Sequence, residues 1–158
     1  MEELMNHLQQ NCYDVVILSD ANALFIEWFF CNRKLNVKKI YSNPAEFDEG
    51  GKLILHQFHH QTSCNQCPVN LCKGAVIKEH IESMRKAGTL YSTVCYTGDG
   101  ENDFCPSLRL TENDYVFPRA TFPLEQMLKS KMSEVKAQVV PWKSATVIKQ
   151  KLQSLATQ

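Results

Sequence analysis

The chain has 158 residues, 44% of them apolar and 22% charged, with 17 Lys plus Arg against 17 Asp plus Glu. Such a length fits one domain and such an apolar share can build a core, which sets aside a disordered chain; zero formal net charge gives no electrostatic case for nucleic acid or an anionic membrane as partner. The longest apolar stretch, residues 23–30, is broken by Glu27 and is too short to span a bilayer. An acidic Met1-Glu2-Glu3 start, the lack of any Asn-X-Ser/Thr acceptor and an odd count of 7 cysteines point to a cytoplasmic protein with reduced thiols.

Leu4, Met5 and Leu8 share one helical face, and after Asn11 the β-branched run at residues 13–18 predicts a buried strand. Beyond Ser19-Asp20-Ala21-Asn22 helical spacing returns at Leu24, Phe25, Trp28 and Phe29, an aromatic stripe extended by Phe30 and expected in the core. A weaker strand at residues 39–41 is stopped by Asn43-Pro44, and Gly50-Gly51 turns between two extended pieces. Residues 56–72 have no usable period but hold three His and three Cys. A helix is predicted from Lys73 to about Lys86 with Gly88 closing it. A strand at residues 93–96, the loop Gly98-Asp99-Gly100, a helix from Asn102, a strand at residues 115–117, a helix from Pro123, a strand at residues 138–140 and a helix from Ser144 complete the chain. This alternation is the pattern of an α/β fold, a mostly parallel sheet with helices on both faces.

In such sheets ligands bind at the carboxyl ends of the strands. Two polar clusters fall there: Ser19-Asp20-Ala21-Asn22, and Gly98-Asp99-Gly100-Glu101-Asn102-Asp103. Asp99 and Asp103 lie four apart, with Gly100 permitting an open backbone, so the loop suits a hard cation such as Mg²⁺ held by carboxylates, water and phosphate oxygens. A calcium EF-hand is excluded, since its obligatory glycine and terminal glutamate fall on Phe104 and Leu110. A surface turn at Asp99-Gly100, with Asp103 as a charge at a helix start, is the plainer alternative.

Taken together, the run Val15-Val16-Ile17-Leu18-Ser19, Lys73 opening a helix, and Val94 through Asp103 resemble three motifs of the haloacid-dehalogenase-like phosphatases. Ser19-Asp20-Ala21-Asn22, Ser42-Asn43-Pro44, residues 59–73 and residues 98–106 are similar to the eukaryotic branch that contains phosphoethanolamine/phosphocholine phosphatase and pyridoxal phosphate phosphatase. The resemblance implies a Rossmann-like core, a single domain over residues 1–158, and magnesium-dependent hydrolysis of a small phosphorylated metabolite through an aspartyl-phosphate. It implies that Ser19 hydrogen-bonds a phosphoryl oxygen, its alternative being a cap for the helix from Asn22. Lys73 sets an ammonium against phosphate, Asp99 ligates magnesium, and Asp103 orients metal-bound water or Lys73. Asp20 either faces an amine or pyridinium headgroup or is a solvated loop acid. Pyridoxal phosphate is preferred over phosphocholine because residues 25–28 and 43–47 look more like that branch.

The family's nucleophile sits in an Asp-X-Asp-X-Thr/Val sequence on a first strand, followed by a cap, and this chain contains no such sequence. On that reading the nucleophile, the general acid two residues later and one metal carboxylate are absent, so turnover by this chain alone is not expected. The core is then incomplete at its N-terminus: the strands ending at Leu18 and Tyr96 should flank a missing central strand, and their open edges favour an oligomer. A non-catalytic product that binds metal or a partner is the rival reading. Finally, Cys64, Cys67 and Cys72 with His59 are candidate zinc ligands, with packed thiols or a disulfide as alternatives. Under the zinc reading the chain is a metal-stabilised interaction module. Cys12, Cys31, Cys95 and Cys105 read as core hydrophobes.

Overall fold

The computed structural model describes residues 1–155. The chain falls into two compact units, Met1–Cys72 and Lys73–Gln158.

The first unit opens with α1 (Glu2–Gln10), which carries Glu2 and Glu3 in its first turn, where negative charge meets unpaired backbone N–H groups, and buries Leu4 and Met5. β1 (Val16–Asn22) pairs in parallel with β2 (Lys39–Asn43), from Val16 opposite Lys39 to Ser19 opposite Ser42, and a bulge precedes the pairing of Asn22 with Asn43. The strand therefore runs four residues beyond its expected end at Leu18 and takes in the whole Ser19-Asp20-Ala21-Asn22 cluster. α2 (Ala23–Asn32) connects the two strands, and its cap is Asn22, whose Oδ1 accepts the Phe25 N–H at 2.9 Å. β3 (Ala45–Phe47) and β4 (Leu53–Leu55) form an antiparallel hairpin turned at Gly50-Gly51. Gly51 has φ +79, the left-handed conformation that favours glycine.

Two expectations fail in this unit. The aromatic stripe of α2 is not core: Phe25, Trp28 and Phe29 are 57%, 67% and 41% exposed. A helix apolar on most of its circumference can bury only the side it turns to β1 and β2, and no residue of α2 is fully buried. Cys12, in the turn after α1, and Cys31, near the end of α2, are exposed as well, and Cys95 in the other unit is also exposed; Cys105 alone of that expected set is buried.

The second unit contains α3 (Lys73–Lys86), β5 (Cys95–Gly98), a 3-10 turn (Glu101–Asp103) running into α4 (Phe104–Ser107), β6 (Tyr115–Pro118), α5 (Pro123–Ser130), β7 (Gln138–Val139) and α6 (Ala145–Leu155). The sheet order is β5-β6-β7 and every pairing is parallel, as the alternation predicts. β6 is central, and all four of its residues are buried. Around it the core gathers Val76, Phe104, Leu124, Leu128, Ile148 and Leu152. Gly74 lets α3 close on the segment after the 3-10 turn, since a Cβ there would stand 2.5 Å from the Cys105 sulfur.

The α/β, Rossmann-like class read from the sequence is thus the class observed, the hairpin β3-β4 being its antiparallel exception. Among the described residues β1 pairs only with β2, and β5 only with β6. Accordingly Val16, Ile17 and Leu18 are half-buried, not enclosed as a central strand would be. No helix among the described residues is long and apolar enough to cross a membrane.

Candidate active site

The second unit brings Lys73, Asp99 and Asp103 together at the carboxyl end of β5. Lys73, the first residue of α3, is only 7% exposed, which removes the reading of a solvated helix-start lysine. Its Nζ donates to Asp103 Oδ1 at 2.7 Å, and the Tyr96 hydroxyl donates to the same oxygen at 2.6 Å. The other carboxylate oxygen accepts the backbone N–H groups of Asp99 at 3.0 Å and Gly100 at 3.1 Å. Burial pushes the Asp103 carboxyl up, but the Lys73 charge and the bonds from Lys73, Tyr96 and Gly100 outweigh it and hold the group below its ordinary value. Asp103 is therefore an ionised hub that fixes the Lys73 ammonium on one side and the Asp99 backbone on the other.

The loop winds tightly round this carboxylate. A Cβ on Gly98 would lie 2.5 Å from Asp103 Cγ, so no larger residue fits there. Gly100, expected to permit an open backbone, is extended, with φ −93 and ψ 170, a conformation any residue adopts. The glycine this loop most needs is the preceding one, and the reason is space. Asn102 lies within the 3-10 turn and does not open a helix.

With its own backbone held by Asp103 and by the Leu124 N–H at 3.0 Å, Asp99 keeps its carboxylate toward solvent, 3.9 Å from the Arg119 guanidinium. That donor set fits a hard cation: one accessible carboxylate is available, and behind it stands a second whose oxygens are already committed to four donors. Sequence reasoning did not assign Tyr96 or Arg119 to the site. Signals for both existed: a tyrosine in an apolar strand needs a partner for its hydroxyl, and Arg119 follows β6 at the level where Asp99 follows β5.

Ser19 and Asp20 belong to the first unit. Ser19 Oγ accepts the Ala21 N–H at 3.2 Å, so the hydroxyl serves the strand bulge and does not cap α2. The Asp20 carbonyl accepts Asn43 Nδ2 at 2.7 Å, while Asn43 Oδ1 takes the Phe58 N–H at 3.2 Å and Asn70 Nδ2 at 3.1 Å. Asp20, Asn43 and Asn70 line a cavity of about 200 Å³ with Asn22, Leu55, His56 and Gln57. In the loop beyond, the sulfurs of Cys64, Cys67 and Cys72 lie within 4.8 Å of one another. His59 Nε2 accepts the Cys72 N–H at 2.8 Å.

A family model described as "Putative Phosphatase" matches residues 1–156. The chain is 41% identical to a probable phosphatase of Danio rerio over 84% of this chain and 50% of the relative. It is 36% identical to a pyridoxal phosphate phosphatase of Bos taurus over 98% of this chain and 67% of that protein. A phosphoethanolamine/phosphocholine phosphatase of Gallus gallus is also 36% identical, over 98% of this chain and 60% of its own length. The chain thus spans between half and two thirds of the length of these relatives.

Proposed function

Since the chain belongs to the Putative Phosphatase family, we propose that it carries the phosphate- and magnesium-handling part of a haloacid-dehalogenase-like phosphomonoesterase. The substrate is a small phosphorylated metabolite, pyridoxal phosphate in the first instance and phosphoethanolamine or phosphocholine in the second. The observation that carries the reading is the buried Lys73–Asp103 pair beneath the exposed Asp99 carboxylate.

A phosphoryl group in transfer presents spread negative charge, and fixed positive groups stabilise it best where they need not reorganise. Lys73 meets that need because Asp103 holds its ammonium in one place while leaving it N–H donors for a phosphoryl oxygen. Asp99 is the residue that would hold magnesium, which when bound supplies positive charge at the phosphate oxygens. Asp103 acts through others: it positions Lys73 and the Asp99 backbone. In the first unit Ser19 is the phosphoryl hydrogen-bond donor, and Asp20, which lines the cavity described above, faces the cationic headgroup. The attacking carboxylate is assigned to no residue of this chain. The edges of β1 and β5 that pair with no strand among the described residues further support self-association of the chain, which sedimentation velocity would detect.

The test is titration calorimetry of orthophosphate, with magnesium and with a chelator, alongside phosphate release from pyridoxal phosphate, phosphocholine and phosphoethanolamine. Expected are magnesium-dependent binding, loss of that dependence in Asp99→Asn, and weakening by roughly tenfold or more in Lys73→Met, the worth of one charge-assisted hydrogen bond. Release by the chain alone stays at background. Phosphate binding indifferent to magnesium and to Asp99→Asn would refute the proposal and favour the non-catalytic reading.

A further inference from the structure

We propose that Cys64, Cys67 and Cys72 are the thiolate core of a structural zinc site that fastens residues 56–72. This segment joins β4 to α3 without a helix or strand of its own; two backbone bonds cross it, from the His59 N–H to the Asn70 carbonyl at 3.2 Å and from the Gln61 N–H to the Val69 carbonyl at 2.8 Å, and structureless loops of such length are uncommon in compact domains. Its three sulfurs nevertheless converge to within 4.8 Å of one another. Thiolates bound at about 2.3 Å round a tetrahedral zinc stand roughly 3.8 Å apart, so an inward movement of about 1 Å at most closes the set.

The backbone round the cysteines is built to keep them there. Gln61 Nε2 donates to the carbonyls of Cys64 at 3.2 Å, Cys67 at 3.2 Å and Pro68 at 2.9 Å, and its Oε1 accepts the Cys64 N–H at 2.9 Å. One side-chain amide thereby ties both ends of the Cys-X-X-Cys turn. At the third sulfur His59 has an orienting role: its Nε2 accepts the Cys72 N–H, so its proton sits on Nδ1 and the ring holds the Cys72 backbone in place. Soft sulfur donors select zinc over magnesium, which keeps this site chemically apart from the oxygen site at Asp99. Three thiolates leave one of the four zinc positions to a further ligand.

The chain is to be purified under reducing conditions without chelator, its zinc measured by elemental analysis and its zinc environment by X-ray absorption. Expected are one zinc per chain and at least three sulfur neighbours near 2.3 Å. Cys64→Ser, Cys67→Ser and Cys72→Ser should each lower zinc affinity by at least about tenfold, while Cys12→Ser retains it. Should the serine variants fail to fold, the unaltered chain still decides: chelation should accelerate hydrogen exchange in residues 56–72. Protein that takes up no zinc against a chromophoric chelator, a zinc shell of nitrogen and oxygen only, or a disulfide joining two of the three cysteines would each overturn the assignment.

Discussion

Replacing Asp103 by Asn keeps the shape of the side chain and removes its charge, and the four donors round it determine what that costs. Its two oxygens accept from Lys73 Nζ, the Tyr96 hydroxyl and the N–H groups of Asp99 and Gly100, all at 2.6–3.1 Å. An amide has one acceptor end and one donor end, so either the two backbone N–H groups or the Lys73 ammonium must face an N–H of the new residue. The better orientation keeps the backbone bonds and lets the Tyr96 hydroxyl turn to accept, but nothing compensates Lys73, whose side chain is 8% exposed. Removing one member of a buried ion pair costs about 3 to 5 kcal/mol. For a single cooperative transition of all 158 residues that corresponds to a fall of roughly 6 to 20 °C in Tm. Calorimetry, and urea unfolding followed by Trp142 fluorescence in a Trp28→Phe background, measure it. The matched control is Glu82→Gln, which breaks an exposed pair with Arg85 and should leave the transition where it is. Lys73→Met combined with Asp103→Asn should recover at least about 1 kcal/mol over Asp103→Asn alone, because the stranded charge is gone. An Asp103→Asn protein within about 1 kcal/mol of the parent, or a double variant that is the simple sum of the singles, would refute the account of Asp103 as an ionised hub.

The same carboxylate sets an acid limit: its folded pKa lies below the ordinary 3.8, so its contribution is complete above that value and is lost as pH falls through the folded pKa. The stability gap between the parent and Asp103→Asn should therefore hold from neutral pH to about 4 and narrow below it in urea titrations; a gap that widens on acidification contradicts the sign. Gly98→Ala, which drives a methyl group to 2.5 Å from Asp103 Cγ, should cost about 1 to 3 kcal/mol and weaken magnesium-dependent phosphate binding in the same calorimetric titration. Asp114 is buried before β6, where it accepts the Val94 N–H at 2.7 Å and both the N–H and hydroxyl of Thr111 at 2.7 and 2.8 Å. Asp114→Ala should cost about 2 to 4 kcal/mol in unfolding experiments yet leave phosphate affinity unchanged, because Asp114 sits at the end of the sheet opposite Asp99.

The amino-acid sequence by itself determined the alternation of strands and helices, the start of α3 at Lys73 and its end before Gly88, and the acidic loop after β5. Each of these rests on a local signal: a β-branched run, a helical spacing of apolar residues, a glycine beyond the last turn. Bringing Lys73 to Asp103 across thirty positions of sequence is a different matter, since periodicity carries no such distance; the resemblance to a phosphatase family suggested it, and the packing of α3 against α4 achieves it. Only the tertiary structure decided that Tyr96 completes the Asp103 network, that Gly98 is the glycine for which space is lacking, and that three sulfurs spread over nine residues converge. It also reversed the reading of the α2 stripe. Phe25, Trp28 and Phe29 have the spacing of a core face, but spacing says only which residues share a side of a helix. Whether that side is buried depends on what packs against it, and beside a two-stranded pairing of β1 with β2 there is not enough surface to cover it.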